Sequence, residues 1–194
     1  LAPLAEAAGR PFSFTAHAYD LFRRDAAVTV DEWRCLSSRL RRVVTISRFH
    51  QEFLVRRGVP AAKVAVIPNA AALARLFAVA PAAPTSLRRV LAVGRPVAKK
   101  GFGVLVQAWA LARTMVPGLE LDIVGGEGLV AAPPTGLRLL PMCDWSGVVD
   151  AICAADLVVA PCVIAPDGDM DGIPTVLAEA GALRRPVVAS ALSG

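Results

Sequence analysis

Two segments of the chain hold residue types and spacings suited to chemistry on phosphates and hydroxyls. The first is Gly94-Arg95-Pro96-Val97-Ala98-Lys99-Lys100-Gly101-Phe102-Gly103, which follows an apolar run at 89–93. A strand ending at Gly94, cations at Arg95 and Lys100 and a helix starting near Gly101 would offer free N–H groups and two positive charges to a diphosphate. The segment contains neither G-x-x-x-x-G-K-[ST] nor G-x-G-x-x-G, so it is neither a P-loop nor a dinucleotide fingerprint. Taken alone it reads equally well as a basic loop. The second segment is Asp167-Gly168-Asp169-Met170-Asp171-Gly172-Ile173-Pro174-Thr175-Val176-Leu177-Ala178-Glu179. Pro174 suits the first turn of a helix. Asp171 before that helix and Glu179 within it would give two carboxylates that accept hydrogen bonds from hydroxyls. The D-x-D-x-D-G start matches half of a calcium loop, but position twelve is Ala178 and Glu179 comes one residue late; calcium is therefore not expected, and a metal-binding D-x-D of the kind found in other sugar transferases is the minor reading.

These segments need a scaffold that presents the carboxyl ends of strands. Short apolar runs at 12–15, 43–46, 64–67, 89–93, 119–124, 137–140, 157–160 and 186–189 read as strands covered on both faces. Helical patterns at 32–42, 48–57, 103–115, 147–154 and 175–183 separate them. Such alternation predicts parallel α/β sheets with right-handed crossovers. Alanine and proline dominate 70–86 and charge is scarce there, which predicts an irregular connector between two units, 1–80 and 81–194.

Composition narrows the function classes. Apolar residues make up 55% of the 194 residues, enough for a sizeable core, and no stretch approaches the ~18 apolar residues of a membrane-spanning helix. Four cysteines and two histidines lack paired ligand spacing, so no metal is expected and the thiols read as reduced, in a cytoplasmic protein. The net charge is +5, and between Asp20 and Arg57 nine arginines stand against five acidic residues. Without aromatic interleaving or a recognised module, nucleic acid is not the expected partner. A solvated helix face is the first reading of these arginines and a peripheral contact with a membrane surface the second.

Six motifs in order then carry a resemblance. Phe12-Ser13-Phe14-Thr15-Ala16-His17-Ala18-Tyr19-Asp20 resembles F-S-x-T-x-H-x-x-D, Thr45-Ile46-Ser47 resembles T-x-S, and Ile67-Pro68-Asn69 resembles I-P-N-G. Val93-Gly94-Arg95 through Lys99-Lys100-Gly101 resembles V-G-R-x-x-x-K-K-G, Ile123-Val124-Gly125-Gly126-Glu127-Gly128 resembles I-V-G-x-G, and Asp171 to Glu179 resembles E-G-x-P-x-x-x-x-E. Together they resemble the retaining glycosyltransferases of family 4, especially those that build exopolysaccharides and capsules.

The resemblance implies a GT-B fold of two Rossmann-like units, both truncated here, and transfer of a sugar from a nucleotide diphosphate to a glycan or lipid-linked acceptor. It implies that Arg95 and Lys100 beside Gly94 hold the donor diphosphate. Glu179 would bind the ribose hydroxyls, and Asp171 with the backbone of Gly172, Ile173, Pro174 and Thr175 would face the transferred sugar. His17 would lie near the reacting sugar. No cofactor and no metal are expected, and the site of action is the cytoplasm, extending to the inner face of the membrane. Asp171 stands where the family has glutamate, and Ala70 where it has glycine. The family's glycine-rich loop and closing helices are missing from the pattern, so the chain reads as a fragment expected to be inactive alone. A nucleotide-sugar epimerase of the same fold and an inactive nucleotide-sugar-binding module are the alternatives.

Overall fold

A computed structural model of the chain describes residues 8–23, 39–69 and 73–192. These residues divide into two compact units, the first taking Leu1–Asn69 with Ile164–Ile173, the second Ala70–Val163 with Pro174–Ala191.

The first unit holds β1 (Phe12–Ala16), α1 (Ala18–Phe22), β2 (Leu40–Thr45), α2 (Arg48–Arg56) and β3 (Val64–Val66). Its three strands form a parallel sheet in the order β1-β2-β3. Ala16, Leu21, Leu40, Val43, Leu54 and Val59 make its core, and Met170 packs against it. The helix expected over 32–42 is corrected in part: Leu40, Arg41 and Arg42 are strand, and Leu40 pairs with Phe12. Leu40 closes a helix-like pattern, but its burial against the sheet extends the strand expected from Val43 back to Leu40. The rest of that stretch, 32–38, lies outside the described residues.

The second unit holds α3 (Leu73–Val79), β4 (Arg89–Val93), α4 (Phe102–Met115), β5 (Glu120–Val124), β6 (Leu137–Leu140), α5 (Trp145–Ala154), β7 (Leu157–Ala160), α6 (Thr175–Ala182) and β8 (Val187–Ala189). Its parallel sheet runs β6-β5-β4-β7-β8. In β4 and β7 successive residues enter different cores, which is why those runs are apolar, whereas edge strand β8, expected to be covered on both faces, has all three residues exposed. Val90 and Ala92 pack with Phe102, Trp109, Leu121 and Ile123, whereas Leu91 packs with Ile152, Val158, Ala180 and Leu183.

Helix α3 corrects the expected connector over 70–86. Alanine and leucine favour helix, and Leu76, 1% exposed, enters the core of the second unit. The irregular chain begins only after Val79, where Pro81 and Pro84 forbid continuation. The divide at 80/81 accordingly moves to Asn69/Ala70, and 164–173, assigned from sequence to the second unit, belongs with the first. Position 70 itself lies outside the described residues. Cys143, Cys153 and Cys162 are free thiols. Among the described residues no helix is long and apolar enough to cross a membrane.

Candidate active site

The strand order of the second unit puts a topological switch point beside β4: β5 and β6 lie to one side, β7 and β8 to the other. Ligands of open α/β sheets bind beyond the carboxyl ends of strands at such a point. The loop after β4 carries Gly94, Arg95 and Lys100. Arg95 is exposed, whereas the Lys100 stem lies across Gly94, so that a Cβ there would meet Lys100 Cδ and Cε at 3.1 Å. A single 3-10 turn, Ala98–Lys100, then runs into Gly101, whose φ of 65° starts α4.

This loop is held by its neighbours through backbone contact. The Val163 N–H donates to the Lys99 carbonyl at 2.9 Å, and a Cβ on Gly101 would lie 1.8 Å from the Pro161 carbonyl oxygen. On the other side the Gly94 N–H donates to the Val124 carbonyl at 3.1 Å. Gly125, at φ 81°, sits so close that a Cβ would fall 2.1 Å from the Gly94 oxygen and 2.9 Å from the Met142 sulfur. The glycines of V-G-R and I-V-G-x-G therefore let the loops after β4, β5 and β6 stack.

Pro174 is the residue before α6 and Thr175 its first, which puts Glu179 in the second turn. The Glu179 carboxylate accepts from the Trp145 indole N–H at 3.3 Å. Trp145 opens α5, and its position is fixed by Asp144, whose carboxylate accepts from the Gly147 N–H at 2.9 Å.

The remaining expected residues, His17, Asp171, Gly172 and Ile173, belong to the first unit. His17 precedes α1, and its backbone N–H donates to the Asp20 carboxylate at 2.9 Å. The H-x-x-D spacing is thus a helix start, and the exposed imidazole of His17 projects from it. T-x-S has a similar origin: Thr45 Oγ1 donates to the Ser47 carbonyl at 3.2 Å, and Ser47 Oγ accepts from the His50 N–H at 3.2 Å, turning β2 into α2. The acidic loop is built as a turn. Asp167 accepts from the Asp169 N–H at 3.0 Å and pairs with Arg23 at 3.8 Å.

Sequence reasoning passed over His50, Met142 and Trp145. His50 is fully buried, edge-on to Phe22 at 5.1 Å, with no hydrogen-bond partner on either ring nitrogen. Burial, with His17 near enough to disfavour a second positive charge, pushes its pKa down to about 4. A Cβ on Gly172 would lie 2.8 Å from His50 Cε1 and 2.7 Å from Ile46 Cδ1, so the loop bearing Asp171 rests against this imidazole through a residue that has no side chain.

Residues 87–194, more than half of the chain, match the family described as glycosyl transferases group 1. The chain belongs to this family. As a member of the glycosyl transferases group 1, it also matches Glycosyltransferase Family 4 over residues 1–75, as the six motifs implied. It is 30% identical to the amylovoran biosynthesis glycosyltransferase AmsK of Erwinia amylovora, over 78% of this chain and 40% of that protein. Among solved structures, Anabaena Alr3699/HepE in complex with UDP-glucose superposes with a TM-score of 0.71 at 18% identity, covering 100% of this chain and 57% of that one. A substituted form of Staphylococcus aureus TarM in complex with fondaparinux, α-GlcNAc-glycerol and UDP gives 0.67 at 15% identity, covering 92% and 36%. The lipopolysaccharide outer core galactosyltransferase WaaB gives 0.63 at 17%, covering 98% and 52%. These likenesses establish the GT-B-type α/β fold, and the chain spans roughly half of these relatives or less.

Proposed function

We propose that the protein to which this chain belongs transfers a sugar, with retention, from a nucleoside diphosphate donor to a glycan or lipid-linked acceptor in polysaccharide biosynthesis. The observation that carries this reading is the pair Arg95 and Lys100 on the glycine-bounded loop at the switch point beside β4. As the bond between sugar and phosphate breaks, negative charge grows on the departing diphosphate. Two cations already in place stabilise it without rearranging, and they offset the charge without a metal. Glu179 accepts from the ribose hydroxyls, while Asp171 and the backbone of Gly172, Ile173, Pro174 and Thr175 face the transferred sugar and His17 lies near the reacting centre. No protein nucleophile is invoked, so the acceptor hydroxyl attacks from the side the diphosphate leaves, and positioning supplies most of the rate. The reaction is cytoplasmic, and a lipid-linked acceptor would bring it to the inner face of the membrane.

Arg95→Ala and Lys100→Ala should each weaken UDP, GDP or ADP binding by about 1.5–3 kcal/mol, the range for hydrogen bonds to charged groups, which is roughly ten- to hundredfold. Calorimetry on the chain measures this, and unchanged affinity in both variants would remove the diphosphate assignment. With the intact protein, labelled nucleotide sugars separate transfer from epimerisation and from binding alone. Asp171→Glu, which restores the family residue, should keep turnover within about tenfold; a larger loss would mean that the sugar pocket is built around the shorter acid.

A further inference from the structure

A nucleoside diphosphate is a linear object: diphosphate, then ribose, then base. If Arg95 and Lys100 take the diphosphate and Glu179 the ribose, as in the donor-site reading on which this inference rests, the base lies next to what surrounds Glu179. That neighbour is Trp145, whose indole N–H holds the Glu179 carboxylate at 3.3 Å. Met142, three residues earlier in the loop after β6, sits with its sulfur over Gly125, which itself packs on the Gly94 carbonyl. Gly94, Gly125, Met142, Trp145 and Glu179 thus line the carboxyl edge of one sheet.

Trp145 is 47% exposed and Met142 52%. Large apolar side chains left in water beside a polar site call for a partner with a flat apolar face. The Asp144 cap fixes where α5 begins, so the indole is presented on a rigid element, and a thioether adapts to whatever ring is laid on it. We propose that Trp145 and Met142 form the platform on which the donor's base stacks, and that the Trp145 N–H orients Glu179 toward the ribose. Trp145 thereby has two separable roles: its ring touches the base, and its N–H acts through Glu179.

Stacking is sequence-tolerant because every base has a π-face. The platform therefore supplies affinity and does not choose the base. Trp145→Ala should weaken UDP and GDP binding by the same factor, about tenfold within the range for loss of one base–aromatic stack. Binding of inorganic pyrophosphate, which has no base, should not change, a result that a merely unfolded variant cannot give. Trp145→Phe keeps a ring but loses the N–H. It should cost less than Trp145→Ala, and nothing further once Glu179→Ala is present. Calorimetry of the chain with UDP, GDP and pyrophosphate reads all of these. Unchanged UDP affinity in Trp145→Ala, a loss confined to one base, or an equal loss for pyrophosphate would each overturn the platform. If Arg95→Ala and Lys100→Ala lose UDP while Trp145→Ala keeps it, the platform alone fails. If those cation variants bind UDP as the parent does, the donor site itself is misplaced.

Discussion

Gly101→Ala is expected to destabilise the chain by about 3 kcal/mol or more and to weaken nucleotide binding with it. Two costs combine. The residue holds φ 65°, which an alanine adopts only under strain, and the new methyl carbon would stand 1.8 Å from the Pro161 carbonyl oxygen. That oxygen is backbone and cannot swing aside, so the loops after β4 and β7 must part, taking Lys100 and the Lys99–Val163 hydrogen bond with them. Gly181→Ala is the control: it lies in α6, and a Cβ there meets nothing within 4 Å. That change should be neutral or stabilise by about 0.5–1 kcal/mol through helix propensity. Urea unfolding of both variants decides. Equal midpoints for Gly101→Ala and the parent would show that the close approach of the two loops does not constrain the fold.

Acid should destabilise the fold in part through one buried side chain of the first unit. His50 has a folded pKa of about 4 against 6.5 in the open chain, so the unfolded state binds the proton more readily. A base whose pKa is depressed by folding contributes no loss above pH 6.5; stability falls as pH drops from there and levels off below about 4. The full effect is about 3 kcal/mol at 1.36 kcal/mol per pKa unit. Carboxylates titrate in the same window, so the informative quantity is the difference between the parent and His50→Leu, followed by urea midpoints from pH 7.5 to 4.5. That difference should shift toward the variant as the pH falls. A difference that stays flat would mean that the buried imidazole finds a partner for its proton.

Much of the architecture was legible because burial on both faces leaves a direct mark on sequence. Val90, Leu91, Ala92 and Val93 are apolar in a row since successive residues enter opposite cores, and each of the eight strands among the described residues overlaps an expected run, although β2 starts three residues before its own and β8 is exposed. The elements misread are those where local pattern and tertiary contact disagree. Leu40 and Arg42 close an expected helix in sequence but pair with β1. The alanines before Pro81 looked like a connector until Leu76 is seen in a core. The same contrast runs through the site. Gly94, Arg95 and Lys100 are close in sequence, so spacing alone exposed them. Trp145 meets Glu179 across 34 residues, and His50 meets Gly172 across far more. Such pairings depend on how the chain returns, which no local pattern encodes.

That the first unit draws on Ile164–Ile173 has a consequence for the order in which the protein is made. Met170 is among the residues packed on the first unit's core, and Gly172 fits against its buried histidine. A ribosome that has released Asn69 must add roughly a hundred more residues before these pieces emerge, about 5–20 s at typical elongation rates. During that interval the early sheet is present without its last covering, and strands β4 to β7 of the second unit are appearing. The nascent chain cannot finish one unit and then begin the next, and a gene split at the Asn69/Ala70 divide would separate the first unit from part of its own structure.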